Sequence, residues 1–158
     1  MANAWGDFAG EIQAAVLTAV AADNLLKSGG TYSVVTREAL PAVAGGSPKL
    51  HKGLVPYIGV ACSLGSPRFE GSSMAIPVIV NIHTAEKENP AASARVMAVK
   101  MAMAAVKIVM DMDGTSPGAS GHQTTFSSSH VEEPKVDDSD STLVRVDATA
   151  ELDVWYHD

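Results

Sequence analysis

The segment Val144-Arg145-Val146-Asp147-Ala148-Thr149-Ala150-Glu151-Leu152-Asp153-Val154-Trp155-Tyr156-His157 alternates over fourteen positions. Val144, Val146, Ala148, Ala150, Leu152, Val154 and Tyr156 share one face. Arg145, Asp147, Thr149, Glu151, Asp153, Trp155 and His157 share the other. Successive strand side chains point to opposite faces, so this period predicts a strand with one buried and one wet side. That is the pattern of an antiparallel sheet.

Two further strands read clearly upstream. In Tyr57 to Leu64, Ile58, Val60, Cys62 and Leu64 share a face. The turn Gly65-Ser66-Pro67, with Arg68 to Ser73, leads into Met74 to Thr84, where Met74, Ile76, Val78, Val80 and Ile82 share a face. Pro77 has no N–H for a ladder, so it predicts an edge position or a bulge. Thr31 to Arg37 reads as a short β-branched strand. Pro41, Gly45-Gly46 and Ser47-Pro48 mark a loop carrying Lys49, His51 and Lys52, which reads as a small basic surface.

Two helices complete the pattern. The first is predicted from Asp7 to Lys27, with Phe8, Ile12, Val16 and Val20 recurring every four residues and Ser28-Gly29-Gly30 as its stop. The second is predicted to begin at the cap Asn89-Pro90 and to run to Met110. Val96, Val99, Met103, Val106 and Met110 are spaced as its core-facing seam. Met97, Met101, Ala102 and Ile108 make the remaining faces apolar too, which predicts burial on two sides. The second side is assigned to another subunit. Val96, Met97, Met101 and Met103 are therefore expected to divide between the domain core and an inter-subunit contact. The segment Asp113 to Ser141 is rich in Ser, Gly, Thr and Asp and reads as a long loop with a short strand near Thr124 to Ser128. The whole is predicted to be one α+β domain over 1–158, a mostly antiparallel sheet with two helices packed on one face.

Length and composition agree. The chain has 158 residues, enough for one domain with a substantial core, and 46% of them are hydrophobic against 18% charged. The net charge of −7 argues against a sequence-reading nucleic-acid binder and against an anionic membrane surface. The N-terminus has no basic signal-like region, and charges interrupt every apolar run before it reaches a membrane span. A soluble protein made in the cytoplasm is expected. Cys62 stands alone, so no internal disulfide and no cysteine zinc site can form; it reads as a small buried hydrophobe. His51, His83, His122, His130 and His157 show no zinc spacing, and His83 falls on the polar face of its strand.

One segment looks catalytic. Lys107 to Thr115 reads KIVMDMDGT. Its D-x-D-G-T resembles the first motif of haloacid-dehalogenase-like phosphotransferases. That resemblance implies a Mg²⁺-dependent phosphohydrolase with Asp111 as nucleophile and Asp113 as acid/base. Asp137 or Asp138 would be metal ligands, and Lys135 would neutralise phosphate. The motif requires a strand ending at Asp111, whereas the residues before it keep helical spacing, so an ordinary helix end is expected. The same acids lack the spacing of a calcium loop. No catalytic, cofactor-binding or metal-ligating residue is assigned, and a non-enzyme is expected.

The order and size of the elements resemble the tail terminator, or tail-completion, proteins of long-tailed bacteriophages. The Ala-rich helix Phe8 to Leu26, the strands Ile58 to Leu64 and Met74 to Thr84, the helix after an acidic turn (Glu86 to Met112) and the closing strand Leu143 to His157 carry the resemblance. It implies a structural virion protein, assembled in the host cytoplasm as a hexameric ring. The ring would end the tail tube and join it to the head-side connector or neck protein. DNA would pass through without sequence-specific binding, with no cofactor and no membrane. Sorted by segment, residues 1–54 carry no net charge, 55–110 carry +2 and 111–158 carry −9, which together give −7. Asp137, Asp138, Asp140, Asp147, Glu151 and Asp153 are accordingly expected to face a channel or a basic partner.

Overall fold

The computed structural model describes residues 5–26, 35–38, 56–87, 93–115, 122–137 and 140–157. In chain order these form α1 (Trp5–Ala22), β1 (Val35–Glu38), β2 (Tyr57–Leu64), β3 (Arg68–Glu70), β4 (Ser73–Lys87), α2 (Ala94–Met110), β5 (Gln123–Val131), β6 (Lys135–Asp137) and β7 (Asp140–His157). The sheet order is β1-β2-β4-β7-β5, with β3 paired to β4 and β6 to β7. Every pairing is antiparallel except β1 with β2. The fold is α+β, two helices against a mostly antiparallel sheet. No described helix is long and apolar enough to cross a membrane.

The alternating segment is the spine of the sheet. β7 pairs with β4 from Leu143↔Lys87 to His157↔Ser73. This register sets Val146, Ala148, Ala150, Leu152 and Val154 beside Thr84, Ile82, Val80, Val78 and Ile76, all buried. β2 adds Ile58 and Val60 to the same face. Ile12, Val16 and Val20 of α1 complete one continuous core with α2. Thr84 is the polar residue in the middle of this face. Its hydroxyl lies 3.0 Å from the Ala98 carbonyl and 3.1 Å from that of Val146, so it ties helix, β4 and β7 together without an unpaired buried group.

Several boundaries depart from the sequence expectation. α1 stops at Ala22, not Lys27, because the Asp23 carboxylate takes the N–H groups of Leu25 and Leu26 and closes a turn. That turn drops Leu26 into the core. The expected strand Thr31 to Arg37 is described only as β1. Its first residues, the loop with Lys49, His51 and Lys52, and the cap Asn89-Pro90 lie outside the described residues.

Pro77 sits in a strand with neighbours on both sides, yet it breaks no ladder. Its carbonyl accepts the Gly65 N–H at 2.8 Å, so its backbone polar side points to the gap where β2 has ended and β3 has not begun. On β2, β1 covers only Tyr57 to Val60. Further along that edge, the Cys62 N–H is satisfied by Gln13 Oε1 of α1 at 2.9 Å.

The second helix keeps only part of its expected seam: Val106 is buried and Val99 is half-buried against the core. The residues facing the core are Ala94, Ala98, Met101, Ala102, Ala105, Val106 and Val109. Val96, Met103 and Met110, expected in the core, are exposed. Four alanines on the core side let the helix approach the sheet closely, with Met101, Val106 and Val109 filling the space between them. The stretch 113–141 is not a loop throughout. β5 and β6 occupy 123–131 and 135–137, pairing along one side of β7. Ser and Thr are tolerated there because β5 forms an outer strand of the sheet and most of its side chains meet water.

Candidate functional site

The D-x-D-G-T segment is the junction between α2 and β5. α2 runs as a helix through Lys107 to Met110, and Asp111 is its C-cap. The strand that phosphotransferase chemistry requires is not formed. Lys107 Nζ pairs with Asp111 one turn on, at 2.5 Å. Asp113 Oδ1 accepts the Phe126 N–H at 2.8 Å. Gly114, at φ 73°, turns the chain back, and its N–H reaches the Thr124 carbonyl at 2.8 Å. The Thr124 N–H returns to the Thr115 carbonyl at 2.8 Å, and its buried hydroxyl donates to the Met112 carbonyl at 2.7 Å. Lys107 and Asp111 thus close the helix end on itself, while Asp113, Gly114 and the Thr115 carbonyl fasten β5 to it. Asp137 lies in β6, which pairs with the opposite end of β7 from Thr124, and Asp138 is outside the described residues. Among the described residues, no group of three His, Cys, Asp or Glu could hold a metal ion.

The acidic candidates have two fates. Asp147, Glu151 and Asp153 lie on the sheet face turned away from the helices. Two of them are engaged within the chain. Asp153, 5% exposed, receives Arg68 through both guanidinium nitrogens, at 2.5 and 3.1 Å. Arg68 also lies over Trp155, 5.9 Å from the ring centroid, and Trp155 Nε1 donates to Thr125 Oγ1. The hydrogen bonds to Asp153 and Glu70 push the Arg68 guanidinium still further from losing its proton. Asp147 Oδ1 lies 2.8 Å from His83 Nδ1, and Arg145 Nε lies 3.5 Å from its other oxygen. Burial pushes the Asp147 carboxyl up, but the His83 hydrogen bond and the Arg145, His83 and Lys135 charges outweigh it and hold the carboxyl below its usual range. Glu151 stands half-buried between these pairs. Asp137 is the backbone register partner of Asp140 in the β6–β7 pairing.

The four apolar candidates on α2 are separated by burial. Met101 is in the core, Met97 is half-buried, and Val96 and Met103 are 50% and 58% exposed. Met110, seven residues beyond Met103, extends the exposed line at 42%. Cys62 is half-buried, and burial pushes its thiol up to about 12.

Two features escaped the sequence. Arg68 and Asp153 are 85 residues apart and carry no local signal of pairing. Phe69 lies in a stretch that reads as a turn, and it is the most exposed large apolar residue described, at 77%. A lone aromatic between a Gly-Ser-Pro turn and a Gly-Ser-Ser turn was the only cue.

The class defined by this architecture is a small domain of a mostly antiparallel sheet with two helices, with Phe69, Val96, Met103 and Met110 exposed on its surface. No family model matches the sequence, and no curated protein matches it. Among solved structures, the fold is similar to a chain of the "Virion of native gene transfer agent (GTA) particle". The TM-score is 0.57 at 18% identity, and the match covers 94% of this chain and 97% of that one. At this identity the likeness is one of fold.

Proposed function

We propose that the chain is a structural subunit of a phage-like particle, of the tail-terminator type. The observation that carries this is the end-to-end fold likeness to a virion chain, which leaves little of either chain unmatched. The exposed line on α2 supports it, since a subunit built to meet copies of itself leaves such surface open. In this reading the subunits form a closed ring, a hexamer, that ends the tail tube and joins it to the head-side connector. Val96 and Met103, with half-buried Met97, contribute to the contact between subunits, while Met101 stays in the core of its own chain. The outer sheet face lines the channel, with Glu151 turned toward passing DNA and Asp147 and Asp153 beside it paired within their own chain to His83, Arg145 and Arg68. The ring is assembled in the host cytoplasm and resides in the virion.

The test is mass photometry and negative-stain microscopy of the purified chain, alone and with a phage tail-tube protein. Rings of uniform size, free or seated on tube ends, are expected. A chain that stays monomeric in both conditions overturns the reading.

A further inference from the structure

Among the described strands, β5 ends one side of the sheet. A strand in that position offers N–H and C=O groups that another chain can use as a template. Chains commonly protect such an edge with lysine, proline or an inward charge on the strand itself. β5 has none of these. Gln123–Val131 reads QTTFSSSHV, without Asp, Glu, Lys, Arg or Pro.

Its protection comes from the segment before it. Backbone groups along an antiparallel strand turn alternately to one side and the other. The Thr124 N–H goes to the Thr115 carbonyl, and the Thr124 carbonyl takes the Gly114 N–H, both at 2.8 Å. Thr124 therefore turns its backbone away from β7, and so does Phe126, two residues on. The Phe126 N–H is the next donor that an incoming strand would need, and Asp113 Oδ1 holds it at 2.8 Å. Just beyond, the register slips between Phe126 and Ser128, and this irregularity interrupts the edge again. At the far end the Glu132 N–H goes to the Asp147 carbonyl of β7, so the alternation turns Ser129 outward.

An added strand brings a carbonyl oxygen to each outward N–H. At Phe126 that oxygen would meet a carboxylate already in place, acceptor against acceptor. The same edge of a second copy is the partner that fits, because two antiparallel β5 strands related by a two-fold axis are self-complementary. Such a pairing, centred on this stretch, would also bring two Asp113 carboxylates to one seam, where like charges repel.

We infer that Asp113 guards the β5 edge, and that without it β5 of one copy pairs with β5 of another. This guard is separate from the ring contacts proposed above and works whether or not rings form.

The test compares the full chain with Asp113→Ala, Asp113→Asn and the double variant Asp113→Ala with Ser129→Pro. Sedimentation velocity over a concentration series reads association, and circular dichroism reads the fold. Asp113→Ala is expected to keep the parent's spectrum and to form species larger than the parent's. Its self-association should be about tenfold tighter, the scale of one added hydrogen bond. Asp113→Asn keeps an oxygen for the Phe126 N–H and should stay with the parent. Ser129→Pro removes an outward N–H without touching the β7 ladder, so the double variant should return to the parent's behaviour. A folded Asp113→Ala that associates no more than the parent overturns the guard. Association that survives Ser129→Pro puts the new contact elsewhere and overturns it too. Loss of the native spectrum in Asp113→Ala makes Asp113 a folding residue alone, and this also overturns the guard.

Discussion

The Asp113 carboxylate accepts the backbone N–H of Phe126 at 2.8 Å, and this one bond ties the end of α2 to the start of the outer strand β5. It converts a segment with the look of a nucleophile motif into a splice between two elements. Asp113→Ala should destabilise the fold by about 1–2 kcal/mol, the cost of losing a hydrogen bond to a charged acceptor near the surface. Thr124→Val should cost about 1 kcal/mol, because it removes one buried hydrogen bond while the Met112 carbonyl keeps the Thr115 N–H and hydroxyl. Urea melts of both variants check this. Neither variant, nor Asp111→Asn, should change phosphate-ester hydrolysis from the background of the parent protein.

The Arg68–Asp153 clamp is expected to behave as a partly buried ion pair. Arg68→Ala strands a carboxylate that is almost fully enclosed, so the thermal midpoint should fall by several degrees. Replacing both partners, Arg68→Met with Asp153→Leu, should recover much of the loss. A double-mutant cycle by calorimetry reads the coupling. Losses that simply add would show that the pair is not energetically linked.

Acid should act through Asp147. Its carboxyl is held below the usual 3.8 in the folded chain, so the unfolded chain binds the proton more readily. The stability it contributes is fully present above the unfolded value. It is lost as pH falls through the depressed folded value. Urea midpoints measured from pH 6 down to pH 2.5 should fall in acid, and Asp147→Asn should flatten that part of the curve. An unchanged slope in the variant would assign the acid sensitivity to other carboxylates.

The two sides of α2 should respond oppositely. Met101→Ala removes a fully buried side chain and should cost about 2–5 kcal/mol. Ala102→Leu forces bulk between helix and sheet and should cost about 1–3 kcal/mol. Met103→Ala should leave the stability of the single subunit within about 0.5 kcal/mol, because that side chain meets water. Denaturant unfolding at low protein concentration separates these cases from effects on assembly.

Cys62 should be inert in the native state. With its thiol raised to about 12, thiolate is scarce at pH 8, and labelling by a disulfide reagent should follow unfolding. Prompt labelling in buffer, complete before any denaturant is added, would contradict the packing of α1 on β2.

The sequence by itself determined the parts whose chemistry is local. Alternation in Val144–His157, Tyr57–Leu64 and Met74–Thr84 specified three central strands and their buried faces, because strand geometry fixes the side of every second residue. The spacing of Ile12, Val16 and Val20 specified the buried face of α1, because an α-helix brings every fourth residue back to nearly the same side. The helical spacing before Asp111 already separated D-x-D-G-T from the strand a phosphotransferase needs.

Only the tertiary structure decided which face of α2 is inside. Both faces are apolar, and the choice went to Ala98, Ala102 and Ala105 because closeness to β4 and β7, not side-chain size, limits that contact. It also extended the short strand expected near Thr124 to Ser128 over all of 123–131, since β7 offered an edge to pair with, and it set Arg68 against Asp153 from 85 positions away. Pairings across the sheet depend on register, and register is a property of strands together. No single stretch of sequence contains it.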